Sequence, residues 1–116
     1  MKKIICLLLC TFSVASHAKL LHIIHTNDLH SYFTGYADGR GGYARIKAKI
    51  DELKNEDKKK NISTLILDAG DFSDGTSFYL TNEGANSLQA LDIFQTEVAV
   101  VGNHDFLLGG KALANQ

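Results

Sequence analysis

The sequence lacks the residues that most often cross-link or interrupt a fold. It contains two cysteines, Cys6 and Cys10, and no proline. Both cysteines lie in the first eighteen residues, so the rest of the chain has none and no disulfide can stabilise it. The absence of proline points to no particular function. The segment after residue 18 must therefore depend on a buried core or on bound metal.

Long hydrophobic runs are also missing. The apolar run Ile4–Phe12 is shorter than the roughly 20 residues that a membrane-spanning helix needs. Two lysines precede it and the small-x-small triplet Ser16-His17-Ala18 follows it, so residues 1–18 are predicted to be a secretory signal peptide cleaved near Ala18. We expect a periplasmic or extracellular protein with no stable membrane anchor. Lipidation of Cys10 is the alternative, although the residue before it is a large leucine.

An excess of positive charge is absent as well. The chain has 12 basic and 13 acidic residues, a net charge of −1. The predicted signal peptide contains two of the basic residues and none of the acidic ones, so the remainder carries 10 − 13 = −3. This mild acidity argues against a nucleic-acid partner. The hydrophobic share of 45% and charged share of 22% are ordinary for a globular protein.

The sequence does contain three short apolar runs, each followed by polar residues that suit metals. The runs are Leu20–Thr26, Ser63–Leu67 and Glu97–Val101, which lead into Asn27-Asp28-Leu29-His30, Asp68-Ala69-Gly70-Asp71 and Gly102-Asn103-His104-Asp105. Apolar, β-branched runs of this length indicate buried strands. In open α/β sheets, ligands bind beyond the carboxyl ends of the strands. The pattern therefore predicts one polar site at one edge of one sheet.

Helical patterns separate these runs. Residues Tyr43–Lys59 carry an apolar stripe of Ile46, Ile50 and Leu53, and residues Ala85–Phe94 place Leu88 and Leu91 inward. A turn-rich stretch is predicted over Gly70–Gly84, and a third helix over Leu107–Ala114. The order β-α-β-α-β predicts an α/β fold with parallel strands and right-handed crossovers.

The size of the predicted sheet creates a second expectation. Three parallel strands leave two free edges, which favour aggregation, and a short chain buries a smaller fraction of its surface than a full-size domain. The C-terminal residues Lys111–Gln116 look like the first turns of a helix without a cap. We therefore expect the chain to be the N-terminal piece of a larger protein.

Candidate metal ligands follow from the residue types at the strand ends. Asp28 and His30 are two positions apart, so in an extended segment both side chains point the same way, and this pair suits zinc or a divalent transition metal. Asp71 follows Gly70 in a turn, where a turn-forming or helix-capping role is the alternative. The carbonyl oxygen of Asn103 could complete a site already rich in negative charge.

Other polar residues near the site have different predicted roles. His104 beside a metal could protonate a leaving oxygen as a general acid. Asp68 lies within the apolar run and is expected to be a structural hydrogen-bond partner. His22 and His25 lie within the first strand and are also interpreted as structural.

At these residues the chain resembles a known family. Thr26–His30, Gly70–Gly75 and Gly102–Phe106 look like the successive signature blocks of the calcineurin-like metallophosphoesterases. Gly41–Arg45 is similar to the Gly-Gly-x-Ala-Arg stretch of the exported 5'-nucleotidase and UDP-sugar hydrolase branch. The resemblance covers nearly all of the chain after residue 18, in the right order and spacing.

The resemblance implies a fold and a reaction. Residues 19–116 would be the N-terminal portion of a catalytic domain, a truncated part of a four-layer α-β-β-α sandwich. Asp28 and His30 would bind the first of two divalent ions such as zinc or manganese, Asp71 would bridge both, and Asn103 would bind the second. His104 would stabilise the transition state or protonate the leaving group. The expected activity is hydrolysis of a small-molecule phosphoester or nucleotide.

The chain also departs from this branch. The family completes its metal site with later histidines, which this sequence does not include, so the chain alone is expected to be inactive. The branch places the carboxylate that orients the catalytic histidine where Leu107 stands here, and Asp105 is the alternative for that role. The nucleotide-recognising C-terminal part would be the missing partner, so the substrate-binding residues are unknown. Two alternatives stay open: a non-catalytic remnant of a disrupted gene, and a simple exported metal-binding domain.

Overall fold

A computed structural model describes residues 19–116. The predicted signal peptide and both cysteines lie outside the described residues. The strands are β1 (Leu21–Thr26), β2 (Ser63–Asp68) and β3 (Val98–Ala99), and the helices are α1 (Tyr43–Lys59), α2 (Ser77–Leu80), α3 (Ala85–Phe94) and α4 (Gly110–Ala114), with a 3-10 turn over His104–Phe106. No helix among these residues is long and apolar enough to cross a membrane.

The three strands form one parallel sheet in the order β1-β2-β3. All six residues of β1 pair with β2, from Leu21 opposite Ser63 to Thr26 opposite Asp68. β3 contributes only two pairs, which end with Ala99 opposite Asp68. The predicted α/β class with parallel strands is therefore confirmed. The predicted third strand was too long, because Val100 donates one more backbone hydrogen bond to the Asp68 carbonyl and the chain then leaves the sheet.

The core lies between one face of the sheet and the helices α1 and α3. Its most deeply buried apolar members are Ile50, Ile66, Phe72, Leu91 and Phe94. Ile46, Leu53 and Leu88 are partly buried and pack against them, as the sequence stripes predicted. Each large apolar side chain removed from water contributes about 1.5–3 kcal/mol, so this face holds the sheet and helices together.

The opposite face of the sheet carries apolar side chains that are about half exposed. Ile24 on β1 is buried while its neighbour Ile23 is exposed, because successive strand residues point to opposite faces. Val98 and Val100 extend the exposed apolar surface on the β3 side. The described residues thus cover the sheet with helices on one side.

Two helical segments differ from the sequence prediction. The stretch predicted as turn-rich contains α2, which begins where the Thr76 hydroxyl accepts a hydrogen bond from the Phe78 N–H. The predicted helix over Leu107–Ala114 starts later, at Gly110. Residues before it form the 3-10 turn instead, and Leu107 at the end of that turn is exposed.

Candidate metal centre

The residues that follow the three strands meet at one edge of the sheet. The Asp28 N–H donates to the Gly70 carbonyl and the His30 N–H donates to the Asp71 carbonyl, each at 3.0 Å. The His104 N–H donates to the Asp71 Oδ1 at 2.9 Å. These bonds join the loops after β1, β2 and β3, so Asp28, His30 and Asp71 lie together with His104 of the third loop beside them.

Three of these residues have left-handed backbone conformations. The φ angles are 51° at Asp28, 44° at His30 and 56° at Asp71. This region costs a non-glycine residue about 1–2 kcal/mol, and such strain persists where surrounding bonds determine the conformation and is concentrated at functional sites. The loop-to-loop hydrogen bonds supply that constraint here.

Two glycines allow the loops after β2 and β3 to touch. Gly70 has a φ of 95°, and a Cβ there would lie 2.7 Å from the Gly102 nitrogen. A Cβ on Gly102 would lie 2.1 Å from the Asp71 Oδ1. Real Cβ atoms do not approach other atoms this closely, so no other residue fits at either position. Glycine therefore sets the distance between the loop that carries Asp71 and the loop that carries Asn103.

The side chains of Asp28, His30 and Asp71 have the geometry of a metal site. Their ligand atoms all lie within 4.8 Å of one another, and Asp28 Oδ1 is 3.5 Å from His30 Nε2. Two carboxylates and an imidazole suit zinc, manganese and similar ions. Asn103 is exposed and stands directly before the 3-10 turn. The three residues present fit a divalent metal, and Asn103 lies on the adjoining loop.

A second cluster adjoins this one and was not predicted from the sequence. One oxygen of Asp74 lies 3.2 Å from His30 Nδ1, and its other oxygen lies 3.1 Å from His104 Nδ1. The two histidine rings are 4.9 Å apart and nearly perpendicular. The hydrogen bond to Asp74, and then the charge of that carboxylate, raise the pKa of His104. Asp74 therefore holds both histidines and favours the protonated form of His104.

Asp105 is buried and has a different set of partners. Its carboxylate accepts backbone N–H groups from Asp71, Phe72, Ser73 and Gly102 at 2.8–3.0 Å. Among the described residues, the carboxylate hydrogen-bonded to the His104 ring is that of Asp74. The sequence suggested that Asp105 contacts the ring of His104. In the structure Asp74 makes this contact instead, because the Asp105 carboxylate turns inward and joins two loops. Leu107 is 61% exposed at the end of the 3-10 turn.

Residues 21–115 match the calcineurin-like phosphoesterase family. The chain belongs to the calcineurin-like phosphoesterases. This family uses divalent metals, and the cluster of Asp28, His30 and Asp71 is one of two groups among residues 19–116 that could hold one.

The most similar proteins include 5'-nucleotidases and a solved NAD nucleotidase. The chain is 35% identical to a 5'-nucleotidase of Diplobatis ommata over 91% of this chain and 19% of that protein. It is 27% identical to the protein UshA of Escherichia coli K12 over 85% of this chain and 20% of that protein. The structure of the Haemophilus influenzae NAD nucleotidase (NadN) superposes with a TM-score of 0.69 at 28% identity, covering 81% of this chain and 18% of that one. The chain thus spans about a fifth of the length of these proteins.

The remaining polar residues of this phosphoesterase segment support its loops. Asp68 is 3% exposed, accepts the Thr26 hydroxyl at 2.6 Å and accepts the Gly70 N–H at 2.9 Å. Burial raises the pKa of this carboxyl. The predicted structural role of Asp68 is therefore confirmed, since its bonds join the ends of β1 and β2.

Neither strand histidine belongs to a group of possible metal ligands among the described residues. His22 Nδ1 is 2.8 Å from the Asp57 Oδ2, at the edge of the sheet opposite the candidate metal site. His25 is exposed on the apolar sheet face and lines a shallow groove with Ile23 and Val98. The contact with Asp57 agrees with a structural role for His22, and the structural role of His25 stays a prediction.

Proposed function

We propose that this chain takes part in the metal-dependent hydrolysis of phosphoesters of nucleotide type. The observation that carries the proposal is the convergence of Asp28, His30 and Asp71 from two loops, with His104 of a third loop beside them. The similarity to proteins named as nucleotidases supports the nucleotide part of the substrate.

The proposed ligands divide between two ions. Asp28 and His30 would hold the first, Asp71 would be shared, and Asn103 would contribute to the second. When bound, such ions polarise the phosphate and lower the pKa of an attacking water. The hydrogen bond from the His104 N–H fixes the orientation of the Asp71 carboxylate, which a shared ligand needs.

Asp74 sets the roles of the two histidines. As the acceptor for the Nδ1–H of His30, it leaves the Nε2 of that ring, on the Asp28 side, free to bind metal. As the acceptor for the Nδ1–H of His104, it leaves the Nε2 of that ring as the atom that carries the transferable proton. We propose His104 as the general acid for the leaving oxygen and Asp74 as its positioning residue. Asp105 supports the site through the backbone.

Four protein ligands are few for two ions. We therefore propose that the isolated chain binds metal but hydrolyses phosphoesters poorly, and that a C-terminal part supplies further ligands and the nucleotide contacts. The short share of its relatives that the chain spans supports this. The N-terminal lysines, apolar run and small-x-small triplet support export with removal of residues 1–18.

Metal titration tests the centre directly. Calorimetry of the purified chain with Mn²⁺ or Zn²⁺ should show binding, and Asp71→Asn should weaken it at least about tenfold, because a central carboxylate is lost. Asn tolerates the left-handed backbone at this position. Asp92→Asn, on the exposed side of α3, is the matched control and should leave affinity unchanged. Equal affinities for the two variants would remove the basis for this metal centre.

Activity tests the incomplete ligand set. The chain alone should turn over 4-nitrophenyl phosphate weakly, whereas the chain joined to the remaining part of the H. influenzae NAD nucleotidase should be active and should lose activity with His104→Gln. Robust turnover by the chain alone, abolished by Asp71→Ala, would show that its own ligands suffice. Metal binding without activity in the joined protein would favour a metal-binding domain.

A further inference from the structure

His30, Asp74 and His104 form a second group of possible metal ligands beside the first. One ligand atom of each residue lies within 4.8 Å of those of the other two. Asp74 faces the Nδ1 atoms of both rings, with one oxygen 3.2 Å from His30 and the other 3.1 Å from His104. We call these three residues the His–Asp–His cluster. It shares His30 with the first group and contains neither Asp28 nor Asp71.

The spacing of the His–Asp–His cluster suits a tetrahedral ion. Ligand atoms that bind zinc at about 2.0–2.1 Å lie about 3.3–3.4 Å from one another, which is close to both histidine–carboxylate distances. Two histidines and one carboxylate are a ligand set that holds zinc in proteins, with water in the fourth position. The Asp74 side chain is 14% exposed and the His104 side chain 48%, so solvent reaches the cluster from the His104 side. The cluster therefore offers three ligands and an open fourth position.

Hydrogen bonds hold two members of the cluster in place without an ion. The Thr76 N–H donates to the Ser31 hydroxyl at 3.0 Å, and the Thr76 hydroxyl donates to the Ser31 carbonyl at 2.6 Å. A Cβ on Gly75 would lie 2.6 Å from the His30 carbonyl oxygen, so a side chain there would force the two loops apart. These contacts join the neighbours of His30 to the neighbours of Asp74. Ligands that are already positioned lose less freedom when an ion binds.

The ligand types of the two groups favour different ions. The first group has two carboxylates and one imidazole, whereas the His–Asp–His cluster has two imidazoles and one carboxylate. Oxygen ligands suit Mn²⁺ and imidazole suits Zn²⁺, and Zn²⁺ also binds a given site more tightly than Mn²⁺. The cluster should therefore select Zn²⁺ over Mn²⁺ more strongly than the first group does.

The ring of His30 belongs to both groups and connects them. Its Nε2 is 3.5 Å from the Asp28 Oδ1, and its Nδ1 faces Asp74. A neutral imidazole carries a proton on one nitrogen and a lone pair on the other. An ion on Nε2 leaves the proton on Nδ1, and an ion on Nδ1 leaves it on Nε2. A neutral His30 therefore serves one ion at a time, and the two groups compete for it.

We propose that the His–Asp–His cluster is a Zn²⁺ site that competes with the proposed metal centre for His30. Both rings bind through Nδ1 and keep one proton on Nε2, and a ring that was doubly protonated releases its other proton to solvent. His104 bound in this way cannot become the doubly protonated ring that acts as the acid, so Zn²⁺ here opposes hydrolysis. That inhibition rests on the proposed function, whereas Zn²⁺ binding by the cluster does not.

The ring nitrogen that binds Zn²⁺ distinguishes the cluster from the proposed centre. Long-range nitrogen–proton NMR spectra of the histidine rings show which nitrogen carries the ion and which carries the proton. With Zn²⁺ added to the unaltered protein, His30 and His104 should both bind through Nδ1. Binding through the Nε2 of His30, with the ring of His104 unbound, would overturn the cluster. The measurement does not depend on the folding of any variant.

A competition experiment tests the role of His104. Zn²⁺ is added to the Mn²⁺-loaded protein, and electron paramagnetic resonance measures the Mn²⁺ that is released. His104→Gln should raise the Zn²⁺ concentration required by at least about tenfold, because even outer partners of metal ligands have effects of 10- to 100-fold. It should leave the affinity for Mn²⁺ unchanged, since the first group does not include His104.

His25→Gln is the matched control, because it makes the same replacement at a histidine outside both groups. It should leave the Zn²⁺ requirement unchanged. Zn²⁺ that replaces Mn²⁺ directly at the first group would give the same requirement in His104→Gln and in the control. That result would overturn the cluster.

Asp71→Asn separates this inference from the proposed function, because it alters the first group and leaves the cluster intact. Calorimetry with Zn²⁺ should show a binding event that survives Asp71→Asn and weakens in His104→Gln. Such an event, with no Mn²⁺ binding by the unaltered protein, would overturn the proposed function and support the cluster. Mn²⁺ binding that depends on Asp71, with no Zn²⁺ event that depends on His104, would support the proposed function and overturn the cluster.

Discussion

A histidine lies beside an aspartate at both ends of the parallel strands, which we call the amino-terminal and carboxyl-terminal edges of the sheet, but the two arrangements differ. At the amino-terminal edge, Asp57 of α1 lies 2.8 Å from the His22 ring of β1 and accepts the Thr64 hydroxyl of β2 at 2.7 Å. His22 and Thr64 are paired residues in the sheet register. At the carboxyl-terminal edge, Asp74 lies between two histidines, and the loops around it have left-handed residues.

A histidine–aspartate pair therefore serves a different purpose at each end of the strands. The His22 contact joins a regular strand to a regular helix, and the Thr64 hydrogen bond, followed by His22, lowers the pKa of Asp57. This pair stabilises a junction without backbone strain. The Asp74 contacts instead involve a proposed metal ligand and a proposed acid, at a place where the backbone tolerates unfavourable conformations. The site edge thus gives up stability that the opposite edge retains.

The largest expected effect comes from the buried carboxylate that supports the site edge. Asp105→Ala should lower the free energy of unfolding by about 3 kcal/mol or more, because four backbone N–H groups lose a charged acceptor and buried ones among them stay unpaired. Urea unfolding followed by circular dichroism measures this. Asp92→Ala on the surface of α3 is the control. A loss below about 0.5 kcal/mol, the range of ordinary surface changes, would mean that Asp105 does not join the loops.

The next effect concerns Asp74. Asp74→Asn should weaken metal binding by about 10- to 100-fold, since outer partners of metal-bound histidines have effects of this size. In metal-free protein it should also lower the pKa of His104, which NMR titration of the ring proton reads directly.

The sign of the associated pH dependence follows from the raised pKa of His104. A folded-state pKa above the ordinary value of 6.5 means that protonation favours the folded state. The stabilisation is complete below the unfolded-state pKa and is lost as the pH rises through the folded-state pKa. An unchanged His104 titration in Asp74→Asn would contradict the contact.

A smaller effect, with the opposite pH dependence, is expected at the other edge. Asp57→Asn should lower stability at neutral pH and leave metal affinity unchanged, because this pair lies away from the proposed metal ligands. The pKa of Asp57 is depressed, so its contribution is present above the ordinary aspartate value and is lost as the pH falls through the lower folded-state value. Thermal unfolding from pH 2 to pH 7 should show the variant and the unaltered protein converging at the acidic end. A change in the metal affinity of Asp57→Asn would contradict the view that the two edges act independently.

The smallest effect is expected at Leu107. The family resemblance suggests that a carboxylate here would help His104, but Asp74 already contacts the Nδ1 of that ring. Leu107→Asp should therefore leave the His104 titration nearly unchanged, and its exposed position predicts a change in stability within about 0.5 kcal/mol. A clear rise in the pKa of His104 would show that position 107 can still supply the carboxylate.

The sequence predicted well the elements whose signal is local. The apolar stripes predicted α1 and α3, and the predicted bounds of both helices agree with the structure, because helix periodicity is contained in neighbouring positions. The convergence of Asp28 and Asp71 also followed from strand order alone. The length of β3 did not follow from the sequence. Val100 and Val101 have side chains typical of strands, but their backbone turns away towards the site.

The unpredicted part of the site depends on contacts between distant residues. Asp74 is 30 positions from His104 and 44 from His30, and only the folded loops bring them together. One signal was available, since Asp74 closes the Gly70–Gly75 block that carries the family resemblance. No such signal predicted the inward orientation of Asp105. Its partners are four backbone N–H groups from two loops, and residue types do not show which backbone groups a side chain will meet.

The short third strand has a consequence for the order in which the site assembles. β1 and β2 share six residue pairs, whereas β3 adds two, and the loop after β3 is connected to the rest by Asp105 and by the His104 N–H. Segments with few ladder bonds open first in native-state hydrogen exchange. The amides of Gly102 and His104 should therefore exchange faster than those of β1 and β2. The proposed ligands Asp28, His30 and Asp71 would then form a persistent half of the site, and we expect Asn103 and His104 to join and leave it together.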